Sequence, residues 1–203
     1  FKACISDNYL WLESEFPRVD VDSLVLGRAT FVDALLCHAW QLLELHKESK
    51  IALVAVGGYG RGQLQPYSDI DLLLLSPSAL SQAQQDTIGQ FITFLWDIGL
   101  DIGQSVRTIK ETVSLARGDV TIATNLVEAR LLTGNQDTFL ALNKKLHGRG
   151  YWTSKDFFIA KSKEQQIRHS KFKGTSYNLE PNVKESPGCL RDIQNIGWIA
   201  KKH

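Results

Sequence analysis

Methionine is absent from the 203 residues, and cysteine is scarce: Cys4, Cys37 and Cys189 make an odd number without any Cys-x-x-Cys spacing. That count speaks against a disulfide framework and against a cysteine-built zinc site, and a reducing cytoplasm fits it best. No stretch approaches the roughly 20 uninterrupted apolar residues that span a bilayer, so no membrane role is expected. No basic segment followed by an apolar run opens the chain, and neither repeats nor low-complexity tracts occur. Neither sign of charge dominates, because 23 Lys and Arg against 22 Asp and Glu leave a net charge of +1. This near-neutrality argues against a dedicated nucleic-acid surface and leaves a protein or small-molecule substrate. The histidines, at positions 38, 46, 147, 169 and 203, stand singly, and His38 reads as a packed residue of an apolar helix.

What is present, 43% hydrophobic residues, suffices for one core or one core with a small satellite. The chain starts at Phe1 and stops at His203 inside a helical pattern, which reads as a piece of a longer protein. Residues 22 to 46 place Phe31, Leu35, Leu36, Ala39, Leu42 and Leu43 at helical spacing, so an amphipathic helix is expected there. The run "IALVAV", residues 51 to 56, is short, rich in β-branched residues and ended by Gly57 and Gly58, which predicts a buried strand. Residues 59 to 68 then read as a turn and residues 69 to 76 as a second buried strand, antiparallel to the first and stopped by Pro77.

A helix is expected from Ser81 to Gly99 on the stripe Ile88, Phe91, Ile92 and Leu95, then a third strand over residues 100 to 108. Beyond it the pattern predicts helices over roughly 119 to 132, 156 to 172 and from Gly188 onward. A polar connector, "KGTSYNLEPNVKESPG", precedes the last of these. The expected fold class is α+β, a small mixed sheet flanked by helices and followed by a helical subdomain too sparse in strands to join that sheet. The expected boundary lies between residues 115 and 116.

The chemistry concentrates in "VGGYGRGQLQPYSDIDLLLL", residues 56 to 75, where four glycines fall within six positions. A dinucleotide fingerprint needs Gly-x-Gly-x-x-Gly running straight into a helix, whereas Gly58, Gly60 and Gly62 are followed by a strand. A P-loop needs Lys and Ser or Thr after its last glycine, and Gln63 and Leu64 stand there instead. The third template fits: a strand ending in Gly57-Gly58, a turn, and a second strand carrying Asp69-x-Asp71. Strand alternation puts both carboxylates on one face and sends Ile70 and Leu72 into the core. Two carboxylates on one face suit Mg2+, singly or as a pair of ions that clamps a phosphoryl displacement. Gly58 lets the backbone approach a triphosphate, Ser68 and backbone amides offer donors, and Arg61 offers charge.

This arrangement resembles the nucleotidyltransferase superfamily related to DNA polymerase β. The wording "GGYGRGQLQPYSDIDLLLL", with "LWDIGLDIGQSVRT", "TNLVEARLLTG" and "YNLEPNVKESPGCLRDIQNIGW", is similar to the catalytic region of bacterial PII uridylyltransferase/uridylyl-removing enzymes over nearly the whole chain. Gln63 and Gln65 stand where that family commonly has Glu and His, and Cys189 where it has a glycine. The resemblance implies transfer of UMP from UTP to a tyrosine of the nitrogen-signalling protein PII, with release of pyrophosphate. It also implies a third carboxylate from an adjacent strand, for which Asp101 is the better placed and Asp97 the rival, while Arg107 could face the triphosphate. Because no His-Asp dipeptide occurs, the hydrolase and ligand-sensing domains of that family are expected to lie outside these residues.

Adenylyl transfer, to glutamine synthetase or to a small molecule such as an aminoglycoside, stays open, as does a non-catalytic nucleotide-binding regulator. Glu128 and Arg130 read as a solvated helix face. The connector residues Tyr177, Asn178, Glu180, Pro181, Asn182, Lys184, Arg191 and Asp192 could line the cleft or receive PII.

Overall fold

A computed structural model describes residues 1–48, 50–148, 150–172 and 182–203. The two apolar runs pair as expected, β1 (Ala52–Ala55) lying antiparallel to β2 (Ile70–Ser76) with Ala52 opposite Leu75 and Ala55 opposite Leu72. Between them the glycine-rich stretch is not all turn, since α3 (Gly57–Gly60) makes one helical turn before the loop to β2. α4 (Gln82–Asp97) begins in a capping box, Ser81 and Gln84 satisfying each other's backbone N–H, and carries the chain across to β3 (Ile102–Thr108). β3 therefore runs parallel to β2, with Ile70 opposite Ile102 and Asp71 opposite Gly103.

The expectation of a helix over 119 to 132 needs correction. After α5 (Ile109–Gly118), α6 (Val120–Val127) stops at Glu128, and Arg130–Gly134 becomes β4, antiparallel to β1. The sheet order is β3-β2-β1-β4, so the second half of the chain contributes a strand to the sheet after all. Gly134 ends β4 at φ +91°, and a Cβ there would collide with the Ile51 carbonyl oxygen. The remaining helices are α1 (Lys2–Glu15), α2 (Val21–Leu42), α7 (Gln136–Leu146), α8 (Ser154–Lys171) and α9 (Leu190–Lys202).

Alternation along the strands divides the interior in two. Leu53, Ala55, Ile70, Leu72, Leu74 and Ile102 meet α2 and α4 through Leu36, Trp40 and Phe91. Ala52, Val54, Leu73 and Leu75 meet the later helices through Val113, Leu142, Phe157 and Trp198. The four leucines Leu72 to Leu75 are each at most 2% exposed, so β2 is covered on both faces and contributes about 1.5–3 kcal/mol per leucine side chain. That anchoring is what holds Asp69 and Asp71 at its leading end. No helix among the described residues is long and apolar enough to cross a membrane.

Candidate active site

β1 delivers the chain to the site, and the Val56 amide donates to the Asp71 carbonyl to close the hairpin ladder. The next residue, Gly57, takes φ +60°, a left-handed conformation suited to glycine. A Cβ on Gly57 would lie 3.2 Å from Asp71 Oδ2 and 3.7 Å from Asn125 Oδ1. On the other side, a Cβ on Gly103 would lie only 2.6 Å from Asp71 Oδ1. The Asp71 carboxylate therefore sits between two glycines and fills the space that a side chain on β3 would need.

Burial pushes the Asp71 carboxyl above the ordinary carboxylate range, and the neighbouring charge of Asp69 adds to this while Lys184 opposes it. Asp69 is exposed and Asp71 half-buried. Among the described residues neither carboxylate accepts a hydrogen bond. Two like charges on one strand face, one of them partly desolvated and without a donor, fit a divalent cation that takes oxygen ligands. No trio of His, Cys, Asp or Glu close enough to hold a metal occurs among the described residues, so a cation here would rest on this pair and on substrate oxygens.

Two recesses meet at Asp71. One is bounded by Gly58, Ser68, Asp69 and Lys184, the other by Gly103, Ser105, Arg107 and Asn125. Arg61 donates through Nε to Gln63 (2.7 Å) and lies 3.8 Å from Glu128, its Nη2 being 3.9 Å from where a Gly58 Cβ would stand. Ser68 donates its amide to the Gln65 carbonyl and leaves its side chain exposed. Asp101 is exposed and precedes β3 by one residue, its carbonyl accepting from the Ile70 amide. By alternation it shares a strand face with Gly103. Asp97 ends α4, a helix that packs on the opposite face of the sheet through Ile88 and Phe91.

The Nucleotidyltransferase domain profile matches residues 36–127, and the GlnD PII-uridylyltransferase profile matches residues 156–203. A bifunctional uridylyltransferase/uridylyl-removing enzyme of Pseudoalteromonas translucida is 49% identical over the whole of this chain. Along its whole length the chain is therefore similar to proteins of that name. Proteins of the same name are 47% identical over the whole chain in Idiomarina loihiensis and 51% identical over 90% of it in Pseudomonas fluorescens. The chain spans 23% of the length of the first two relatives and 20% of the third.

Within this nucleotidyltransferase fold the structure brings in Asn125, which local pattern did not flag, and Lys184 of the connector. Asn125 of α6 lies beside Gly57 and Asp71, and Lys184, just before α9, faces the aspartate pair. Glu128 and Arg130 are not a solvated helix face. Glu128 is 6% exposed and accepts from Lys201 at 2.7 Å. Arg130 lies on β4 and pairs with Asp33 at 2.6 Å, while Asp33 also accepts from the Tyr59 hydroxyl. These contacts lock α3 against β4 and α2.

Of the connector residues, Tyr177, Asn178, Glu180 and Pro181 lie outside the described residues. Asn182 caps the following turn by accepting from the Lys184 and Glu185 amides. Arg191 binds Glu185 and covers the Trp198 ring. His169 does not stand alone, since its ring is 3.0 Å from Asp192. Burial works against the Asp192 charge, but Arg168, the Gly188 amide, Gln165 and His169 outweigh it and hold the carboxyl well below its usual range. Asp192 thus joins α8 to α9 rather than facing the cleft.

Proposed function

We propose that this chain transfers UMP from UTP to a tyrosine of the nitrogen-signalling protein PII, releasing pyrophosphate. The observation that carries the reading is the Asp69–Asp71 pair, two like charges that accept no hydrogen bond among the described residues. Gly57 and Gly103 bracket it, in a chain 49% identical along its whole length to a named uridylyltransferase.

In this reading the phenolic oxygen bonds to the α-phosphorus as the bond from that phosphorus to the bridging oxygen of the β-phosphate breaks. Pyrophosphate leaves with the electron pair. The phenolic proton passes to a carboxylate, and Asp101, on the Gly103 face of β3, is the proposed acceptor. Gly57 and Gly58 keep side chains out of the path of the triphosphate, while Arg61, Ser68 and Lys184 on one side and Arg107 on the other supply donors and positive charge. Asp69 and Asp71 are the proposed ligands for Mg2+, as one ion or two, which would offset charge on the attacking and departing oxygens.

Radiolabelled UTP with Mg2+ should place label on a PII tyrosine, and radiolabelled ATP should place far less. Equal labelling from both nucleotides would overturn the uridylyl assignment and leave a less selective nucleotidyltransferase.

A further inference from the structure

Among the described residues β3 is a terminal strand of the sheet, paired with β2 along one side only. Sheet edges are ordinarily blunted by proline, lysine, a bulge or a covering element. The strand, "IGQSVRT", contains no proline, its single charge, Arg107, lies next to its last residue, and its register against β2 runs without interruption from Ile102 to Thr108. The bond from the Ile70 amide to the Asp101 carbonyl fixes the phase of the parallel ladder. Odd-numbered residues 101 to 107 direct their backbone groups toward β2, and Ile102, Gln104 and Val106 direct theirs outward. Val106 is also 38% exposed and borders a groove of mixed polarity with Ile88, Ile92, Gln104 and Glu111.

The position of Gly103 on this edge bears on the reaction. Asp71 turns one oxygen toward Gly57 and the other over Gly103. The first direction leads to the glycine-rich turn proposed for the triphosphate, and the second leads across β3 to the open edge. An added strand would lie about 4.8 Å from β3. The gap at Gly103 is filled by the Asp71 carboxylate, so a side chain placed opposite Gly103 on such a strand would meet that carboxylate. A tyrosine at that place would bring its hydroxyl toward the Asp71 carboxylate.

We propose that the acceptor protein docks by adding an extended, tyrosine-bearing segment to the free edge of β3, with the tyrosine opposite Gly103. This rests on the transfer reading above and names the surface that presents its acceptor. Backbone hydrogen bonds to Gln104 and Val106 supply affinity, and the Asp71 carboxylate over Gly103 receives the hydroxyl of the side chain opposite it.

The test uses Val106→Pro in the intact protein. The Val106 amide points outward, so proline removes a donor from the edge without removing a bond between β2 and β3. The expected result is a KM for PII raised at least about tenfold, a tenfold change being ~1.4 kcal/mol, with UTP affinity and kcat at saturating PII near those of the wild type. An unchanged KM for PII would overturn the proposal. In the wild-type protein, PII should slow amide hydrogen exchange at Gln104 and Val106 even if the proline variant folds poorly, and unchanged exchange there would also overturn it. If Asp69→Asn abolishes transfer while Val106→Pro leaves the PII KM alone, docking fails and the transfer reading survives. If Asp69→Asn transfers normally, the transfer reading itself fails.

Discussion

Replacing Asp71 by asparagine is expected to lower UMP transfer by at least about three orders of magnitude, ~4 kcal/mol of transition-state stabilisation, and at the same time to stabilise the protein without ligand at neutral pH. The asparagine amide is nearly isosteric with the carboxylate but cannot hold the cation with a full charge. The second effect follows from the raised pKa of the native carboxyl. Burial, then Asp69, lifts it above 3.8 in the folded state, so the folded protein holds that proton more tightly than the unfolded chain does. The ionised group is therefore a cost, absent at acidic pH below 3.8 and growing as pH rises through the elevated value. Thermal unfolding at pH 4 and pH 7 should show the variant gaining more at pH 7. Asp69→Asn should lose transfer to a similar degree. A variant that keeps transfer, or one that loses activity only because it unfolds, would count against the metal-site reading.

Gly60→Ala is expected to be the most damaging single-methyl change around the site. Helix propensity alone predicts a gain of about 1 kcal/mol for alanine over glycine. The surroundings predict the reverse, because a Cβ on Gly60 would stand 2.2 Å from the Glu128 carbonyl oxygen and 2.8 Å from that of Ala55. Both obstacles are backbone, one at the end of α6 and one in β1, and neither can rotate away. Overpacking against atoms that cannot yield costs about 3 kcal/mol, or a fall in melting temperature of roughly 6–12 °C for a chain of this size. Gly89→Ala in α4 is the matched control, since nothing lies within 4 Å of its Cβ position, and it should raise stability by about 0.5–1 kcal/mol. Equal melting temperatures for the two variants would show that the α3–β4 junction is looser than these contacts indicate.

The hairpin of β1 and β2 was legible because its signals are local: a β-branched run ended by two glycines, then an Asp-x-Asp leading into four leucines. The strand β4 was not. "LVEARLLTG" keeps a helical apolar spacing through Leu126, Val127, Leu131 and Leu132, and only pairing with β1 makes an extended Arg130–Gly134 preferable. α1 escaped notice for a related reason, burying only Ile5 and Leu12, seven residues apart. Glu128 and Arg130 looked solvated because charge on a helical pattern usually is, and their partners Lys201 and Asp33 are 73 and 97 residues away. Asn125 reaches the aspartate pair by tertiary packing, which local spacing does not encode. Gly103 carried a faint signal, a glycine in the middle of a predicted strand, which often marks a close approach by another group. Here the group is the Asp71 carboxylate.

Calorimetric titration of the intact protein with UTP, with and without Mg2+, tests the central claim most directly when the Asp69→Asn, Asp71→Asn double variant is run beside the wild type. The account predicts that wild-type binding depends on Mg2+ and that the double variant loses at least about 100-fold in affinity, ~2.7 kcal/mol, with an intact fold. Equal UTP affinity in the two proteins, or wild-type binding indifferent to Mg2+, would contradict it.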